Sequence, residues 1–487
     1  MESKYLMSGL PRIIPPMSVV DLNDPWTDDK LDRGKFATIL TRVVSNEVEP
    51  LVLTVNGKWG SGKTFFLKRW RQDLIKSGVT TLYFNAWQDD TIDDPLVAMI
   101  GQLYMELKGC RKLNLDLKNV TQAVSKITSF VGDTITDVAK HITGVDVKGR
   151  LKRNCYVFNA TVEDYVQQQR NRIELIERLT TLANKVSKGI DDRAKGPIIF
   201  IIDELDRCRP DYAIRVLERV KHIMCVSGLV FVLGIDREAL SKTIKIVYGD
   251  IDTENYLRRF FDLEFVLPKP NLGEFINFQF DQYSVEKILE EMPDTRTYKD
   301  NAYSFRQVFT ALAERQKLSL REIESACKIF MIVIRGYFSE RLMLPSVIAM
   351  MILLRICDPE MYLRFSMHKV MPKEFIDRFV GQQKFDDQYA WKEIILGTYF
   401  SCGQRLCENK NLQQLEAFCE GKTVFPAAEE IFPRVFLDMS PEQRRLFYED
   451  IVRFKSHPRA SYWNGQKAVE QVTTLIDTFD DSTLGQV

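Results

Sequence analysis

The chain has 487 residues, of which 45% are apolar and 28% charged, the composition of a folded protein with room for two or three domains. Its 67 basic residues balance its 67 acidic residues, so no global field draws it to nucleic acid or to an anionic membrane. The apolar content excludes an intrinsically disordered chain, and the balanced charge excludes a strongly basic nucleic-acid binder.

Cysteine usage and the N-terminus indicate the cytoplasm. The nine cysteines are scattered without a C-x-x-C pair, and there are only four histidines, which predicts buried thiols in a reducing compartment. The first twenty residues lack the charged and apolar regions of a secretory signal. The longest apolar run, 342–354, contains a proline and a serine and is shorter than the roughly 20 residues that a membrane-spanning helix takes. We therefore expect a cytoplasmic protein in which that run is a buried helix.

The first 270 residues alternate predicted strands and helices. Residues 1–30 are rich in proline and polar groups and predict an N-terminal arm, which an amphipathic helix over about 35–44 follows. The runs LVLTV, TLYFN, IIFII, LVFVLG and LEFVLP predict five buried strands with helices between them. This alternation favours an α/β fold with a parallel sheet.

Two regions differ from that alternation. A helical insert is predicted over about 105–190, where apolar residues recur at spacings of three and four from Val120 to Ile142 and a longer helix follows over about 162–188. The polar face of the first of these helices carries few lysines and no arginine, which favours packing on the core or on a partner over membrane binding. From 271 to 487 helices dominate, with a capping box at Ser319 and Glu322, so we expect a helical lid or C-terminal domain.

The segment GKWGSGKT matches the pattern G-x-x-x-x-G-K-[ST] between a predicted strand and a predicted helix. In such a loop, backbone N–H groups and the helix N-terminus bind phosphate, the lysine reaches the β- and γ-phosphates, and the hydroxyl holds Mg²⁺. The alternative is a chance glycine turn, which four fixed positions in this context disfavour. The residues predicted to bind the nucleotide are Gly57, Lys58, Trp59, Gly60, Ser61, Gly62, Lys63, Thr64 and Phe65.

Two acids follow the third predicted strand. Asp203 would hold the metal through water, together with Thr64, and Glu204 would polarise the attacking water as general base. An acidic surface turn is the alternative, but both halves of a phosphate site occur in order. The glutamate favours hydrolysis over transfer to a small acceptor. The nearest match to a guanine-specific N-K-x-D loop is NKVS at 184–187, which lacks the aspartate, so the predicted ligands are ATP and Mg²⁺.

Four segments in order, NGKWGSGKT, YFNAWQDD, IIFIIDELDRCRPD and YLRRFFDLEFVLPKP, resemble the KAP family of P-loop NTPases over about residues 25–335. The resemblance implies the additional-strand, catalytic-glutamate class of NTPase. Its fold is a three-layer α/β/α sandwich with a parallel sheet of order 5-1-4-3-2, here over 31–270, with the helical C-terminal region beyond it. The resemblance also implies an ATPase of bacterial or phage-related defence or exclusion. Many members carry membrane-spanning segments where this chain has its helical insert, so no membrane-spanning segment is expected.

The resemblance implies further site residues. Asp236, at the tip of the fourth strand, would face the γ-phosphate as a sensor, or else be the N-cap of the next helix. Arg207, Arg258 and Arg259 are candidates for an arginine that completes the site from a neighbouring subunit or a lid, with ordinary pairing to carboxylates as the alternative. Arg321 matches the lid-arginine position of related ATPases, or else lies on a solvated face.

Three functions are consistent with these residues. The leading prediction is an ATP-driven switch or remodelling module that acts in a homo-oligomer or on a partner effector protein. A nucleic-acid-stimulated motor or loader is favoured by the basic clusters KRWR and KGRLKR and opposed by the zero net charge. A scaffold that binds nucleotide only to assemble is the third. Trp87, beside Asn85 at the end of the second strand, is expected either in the core or in the wall of the switch.

Overall fold

The computed structural model describes residues 24–27, 29–92, 94–108, 120, 162–188, 196–223, 225–290, 301–336, 345–367, 372–375, 378–379, 473–474 and 476–477. The chain divides into two compact units, with the boundary between Lys269 and Pro270. The first unit holds every strand of the described sheet. The second unit is helical in its described residues.

The first unit is built on a five-stranded sheet in which all neighbouring strands are parallel. Its order, β2-β3-β4-β1-β5, confirms the predicted order counted from the other edge. The strands are β1 (Leu51–Asn56), β2 (Thr81–Asn85), β3 (Ile198–Asp203), β4 (Leu229–Ile235) and β5 (Leu263–Val266). Because parallel strands end at the same edge, the residues that follow β1, β3 and β4 lie side by side.

Helices cover both faces of the sheet. The described helices of this unit are α1 (Gly34–Val44), α2 (Lys63–Lys76), α3 (Pro95–Lys108), α4 (Val162–Lys188), α5 (Pro210–Ile223), α6 (Arg237–Tyr248) and α7 (Thr253–Leu257). Alternate strand residues enter two separate cores, because successive side chains of a strand point to opposite faces. Leu53 and Val232 pack with α1 and α2. Phe200 and Phe231 pack with α3, α4 and α5. The predicted three-layer α/β/α sandwich is confirmed.

Strand β5 corrects one sequence expectation. Its apolar run predicts a buried strand, but Leu263 and Val266 are 45% and 63% exposed. The reason is its place at the edge of the sheet, where β1 is its neighbour on one side. Phe265 alone turns inward, with its ring centroid 6.1 Å from that of Phe66. An apolar run of this length does not distinguish an edge strand from a central one.

The insert is described at the end of α3, at Val120 and in α4. The long helix predicted over about 162–188 is confirmed as α4, which packs on the core through Leu175, Leu179 and Leu182. The amphipathic helix predicted between Val120 and Ile142 lies outside the described residues beyond Val120, as does most of the N-terminal arm.

The second unit contains the helices α8 (Leu272–Tyr283), α9 (Val285–Glu290), α10 (Asn301–Arg315), α11 (Leu320–Gly336), α12 (Pro345–Cys357), α13 (Pro359–Ser366) and α14 (Pro372–Phe375) among its described residues. The predicted capping box opens α11: the Ser319 N–H donates to Glu322 Oε2 at 2.6 Å, and the Glu322 N–H donates to Ser319 Oγ at 3.3 Å. The described part of the long apolar run, 345–354, lies in α12, in which Val347 to Leu354 are buried as predicted. In the part of the chain that the structure describes, every helix is too short or too polar to cross a membrane.

Candidate nucleotide site

The loop between β1 and α2 takes the tight path that its glycines allow. The Gly57 N–H donates to the Ile235 carbonyl at 3.0 Å, which ties the start of the loop to the end of β4. Gly60 and Gly62 have φ angles of 74° and 85°, a left-handed conformation that is costly for residues with a Cβ. The predicted phosphate-binding segment, Gly57 to Thr64, therefore lies at the carboxyl edge of the sheet. Its first six residues, 57–62, form the phosphate loop and lead directly into α2, with Phe65 exposed on the first turn of that helix.

Lys63 begins α2 and turns back into the loop. Its Nζ donates to the Gly57 carbonyl at 2.6 Å and to the Lys58 carbonyl at 3.3 Å. Burial lowers the pKa of Lys63, while the carboxylates of Asp206, Asp236 and Asp203 oppose that shift. The ammonium group is thus held inside the curl of the loop, where a phosphate would be bound.

Asp203 is the last residue of β3 and is fully buried. One carboxylate oxygen accepts from the Tyr83 hydroxyl at 2.8 Å, and the other accepts from the Glu204 N–H at 2.9 Å. The Thr64 hydroxyl also hydrogen-bonds to this carboxylate. Burial raises the pKa of Asp203 in spite of these donors. The structure brings the two predicted metal residues together, and their hydroxyl and carboxylate oxygens are donors that suit Mg²⁺.

Glu204 follows in a left-handed conformation, with φ 60° and ψ 27°. Such a backbone costs about 1–3 kcal/mol for a residue with a side chain and is found most often at functional sites. The turn places its carboxylate 2.9 Å from Arg207 NH1 and 3.3 Å from Asn85 Nδ2. The predicted base is therefore held between two donors, and the carboxylate-pairing alternative for Arg207 is the one that the structure shows.

Trp87 lies beside this pair. Its side chain is 51% exposed, so the alternative that places it in the core is wrong. The Arg207 guanidinium lies 5.6 Å from the centroid of its ring. The side chain of Asn85 is held in place because its Oδ1 accepts hydrogen bonds from the N–H groups of Trp87 and Gln88, both at 3.1 Å. The tip of β2 thus orients the amide that contacts Glu204.

Asp236 combines two contacts. One carboxylate oxygen accepts from the N–H groups of Glu238 at 3.1 Å and Ala239 at 3.3 Å, so Asp236 is the N-cap of α6, and its role as a sensor stays a prediction. The other oxygen accepts the Trp59 N–H at 3.0 Å. The indole N–H of Trp59 donates to Asp206, a buried acid whose pKa burial raises. The phosphate loop is therefore linked through Trp59 to the tips of both β3 and β4.

The remaining predicted arginines lie elsewhere. Arg258 and Arg259 are exposed, between α7 and β5. This connection lies at the amino edge of the sheet, because the Asp262 carboxylate accepts the N–H of Val52 at the start of β1, at 2.8 Å. The phosphate loop leaves the opposite edge, so these two arginines are outside the site of their own chain. Arg321 is exposed on the first turn of α11, in the second unit.

Sequence reasoning missed three residues that contact this site. Tyr83 and Asp206 had a weak signal, a hydroxyl in an otherwise apolar strand and the second acid of the segment DELD. Arg33 had none, since no motif includes it. It precedes α1, is 2% exposed and donates to the carbonyls of Ser61 and Gly62.

Comparisons with known proteins identify a family and several similar chains. A family model described as the KAP family P-loop domain matches residues 33–337. The Phage T7 exclusion protein of Escherichia coli (strain K12) is 22% identical over 290 residues, which are 56% of this chain and 38% of that protein. The chain therefore spans well under half the length of this relative.

Solved structures of the ORC2 protein of Aeropyrum pernix, an ADPNP-ADP complex and an ADP form, are 12% identical to this chain. The alignments cover 96% of this chain and 99% and 96% of those chains, with TM-scores of 0.33 and 0.29. The family model, by contrast, covers more than half of the chain, including the phosphate loop and all five strands. The chain belongs to the KAP family of P-loop NTPases.

Proposed function

We propose that this chain binds ATP with Mg²⁺ and hydrolyses it. The observation that carries the proposal is a convergence at one edge of the sheet. There the Lys63 ammonium lies inside the phosphate loop, Thr64 hydrogen-bonds to the buried Asp203, and Glu204 follows directly. Backbone amides at the N-terminus of α2 and the lysine suit a polyphosphate.

Each residue has a role in that reaction. Mg²⁺ would be held by Thr64 and, through water, by Asp203, and it would neutralise charge on the phosphate oxygens. The raised pKa of Asp203 indicates a buried negative charge that protein groups compensate only in part, which suits a divalent cation. Glu204 would accept a proton from the attacking water at a lone pair of its carboxylate that Arg207 and Asn85 leave open.

We infer a role as a switch or remodelling module in bacterial or phage-related exclusion. The name of the phage exclusion relative supports this, although the match covers a minority of that protein. Action in a homo-oligomer or with a partner effector is supported by Arg258 and Arg259, which are exposed at the edge away from their own site. Such arginines can complete a phosphate site only in a neighbouring subunit.

Binding is tested by calorimetric titration of ATP·Mg²⁺ into the wild type and into Lys63→Ala. Loss of the ammonium should weaken uptake at least about tenfold, the worth of a charged hydrogen bond. Lys76→Ala is the matched control, because it removes the same charge from the exposed end of α2, about 20 Å along the helix. A parallel titration with GTP tests the preference for adenine. A wild type that takes up no ATP overturns the proposal.

Hydrolysis is tested by Glu204→Gln in a phosphate-release assay. If Glu204 is the general base, the variant should keep ATP affinity and lose about 10²- to 10⁴-fold in kcat. Equal, near-zero rates in both proteins, with binding intact, would instead identify a scaffold that uses nucleotide only to assemble.

A further inference from the structure

Arg33 reaches the phosphate loop from a distant part of the chain. It is the residue before α1, 28 and 29 positions from the two residues that it contacts. Its NH2 donates to the Ser61 carbonyl at 2.6 Å, and its NH1 donates to the Gly62 carbonyl at 3.1 Å. These are two successive carbonyls at the end of the loop, and the planar guanidinium contacts both at once.

The local structure fixes the place from which Arg33 acts. The Gly34 N–H donates to the Asp29 carboxylate at 2.7 Å, which anchors the first residue of α1. A Cβ at Gly34 would lie 3.1 Å from the Trp26 ring, so the segment before α1 packs closely against the helix start. The guanidinium is buried, and burial lowers the pKa of Arg33 to about 10, with Asp29 opposing the shift. It therefore remains positively charged at neutral pH.

These two contacts help to fix where the loop amides point, together with the Phe66 N–H, which donates to the same Gly62 carbonyl at 3.0 Å. In a trans peptide the C=O and the N–H of one unit lie in a plane and point in opposite directions. The Ser61 carbonyl belongs to the same peptide unit as the Gly62 N–H, and the Gly62 carbonyl to the same unit as the Lys63 N–H. Because Arg33 holds both carbonyls on its own side, both N–H groups are turned to the other side of the loop, away from the guanidinium.

We propose that Arg33 is a positioning residue for nucleotide phosphate: it orients the Gly62 and Lys63 amides and adds a fixed positive charge behind the loop. This inference rests on the proposed binding of ATP at the same loop. ATP and ADP both carry the phosphate that the amides of such a loop bind. Loss of the two Arg33 contacts should therefore weaken the binding of ATP and of ADP by the same factor, and it should change KM more than kcat.

The test uses the full chain with Arg33→Lys, which keeps the charge but not the two-pronged geometry, and Arg33→Gln, which keeps a donor but not the charge. Arg219→Lys is the control, because Arg219 is also buried and forms two hydrogen bonds, to Asp94 at 2.7 and 3.2 Å, away from the loop. ATP·Mg²⁺ and ADP·Mg²⁺ are titrated calorimetrically, and steady-state phosphate release separates KM from kcat. The stoichiometry of the titration gives the fraction of each protein that is folded, whereas the dissociation constant gives the affinity of the loop in that folded fraction.

We expect both dissociation constants to rise about tenfold in Arg33→Lys and further in Arg33→Gln, with Arg219→Lys near the wild type. A merely structural role would lower the stoichiometry and the melting temperature but not the affinity of the folded share. A dissociation constant for Arg33→Lys within threefold of that for Arg219→Lys overturns the inference, and Arg33→Gln decides by the same threshold if the lysine variant does not fold. Wild type and Lys63→Ala are titrated alongside. If the wild type binds no ATP, the proposed function has failed. If the wild type binds ATP and the Arg33 variants bind it equally well, only the proposed role of Arg33 is refuted.

Discussion

Arg207 permits a test in which two roles predict rate changes of opposite sign. Its guanidinium contacts the Glu204 carboxylate at 2.9 Å, and a carboxylate held in an ion pair is less free to turn toward an attacking water. If the pair restrains Glu204, removal of Arg207 should accelerate hydrolysis. If Arg207 instead stabilises the transferring phosphoryl group, its removal should slow hydrolysis by about 10³- to 10⁵-fold.

The structure sets the size of the first effect. The Arg207 and Glu204 side chains are 25% and 13% exposed, so the pair is partly shielded from water. A hydrogen bond between charged groups contributes about 1.5–3 kcal/mol, and discounting for partial exposure leaves about 1–2 kcal/mol. At 1.4 kcal/mol per factor of ten, the restraint corresponds to about 5- to 30-fold in rate. We therefore expect Arg207→Ala to raise kcat by about that factor.

The assay is steady-state phosphate release at saturating ATP·Mg²⁺. Arg209→Ala is the matched control, because it removes the same charge two residues along the chain, where the guanidinium contacts Asp90 and not Glu204. We expect the control to change kcat by less than about twofold, as for other exposed ion pairs. A fall of three orders of magnitude in Arg207→Ala would refute the restraint and assign Arg207 to the transition state. An unchanged kcat would show that release of Glu204 does not limit the rate.

Three further predictions concern the charges and packing around the loop. Asp203→Asn should raise the melting temperature of the unliganded chain by about 2–4 °C, the shift for roughly 1 kcal/mol, because burial raises the pKa of this carboxyl. The wild type loses the stability that comes from protonation of Asp203 as pH rises through the folded pKa, whereas the asparagine does not titrate. The difference in melting temperature between the variant and the wild type, measured by calorimetry, should therefore widen between about pH 4 and pH 7. A difference that narrows would contradict the desolvation argument. ATP affinity should fall as pH rises toward the ordinary lysine value of 10.5, because burial lowers the pKa of Lys63, and a flat titration profile would rule this out. Gly234→Ala should lose about 1–3 kcal/mol in urea unfolding, because its Cβ would lie 2.5 Å from Leu67 Cδ1 and 2.8 Å from Asp203 Oδ1, whereas Gly101→Ala, with no described neighbour atom within 4 Å of its Cβ, should gain up to about 1 kcal/mol.

The central fold was predictable because its signals are local. Strands β1, β3 and β4 are mostly apolar runs buried on both faces, and each ends at or directly before the residue type that the site uses. The capping box at Ser319 and the buried helix α12 are local signals of the same kind. The exposure of β5 was not predictable, because it depends on which strands pair at the edge of the sheet, and an apolar run carries no information about its neighbours.

The site residues also fall into two groups, those that the sequence predicts and those that it does not. The loop, Asp203 and Glu204 are contiguous with recognisable motifs, so their positions follow from the sequence. The partners that hold them come from other segments: Tyr83 lies 120 residues from Asp203, and Asn85 lies 119 residues from Glu204. These contacts depend on the register of β2 against β3, in which Asn85 pairs with Asp203. A single sequence does not specify that register.

The contacts of Trp59 give the proposed switch a physical basis. Its backbone N–H donates to Asp236, which follows β4, and its indole N–H donates to Asp206, which lies shortly after β3. A phosphate that draws the loop amides inward would move a backbone N–H now bound to Asp236, the residue that caps α6. The same movement would pull on Asp206, which lies two residues from Glu204 in a short 3-10 turn. Because an aromatic side chain has few rotatable bonds, it transmits such a displacement better than a long flexible one would. Trp59 is therefore placed to link occupation of the loop both to the position of α6 and to the backbone of Glu204, the proposed general base.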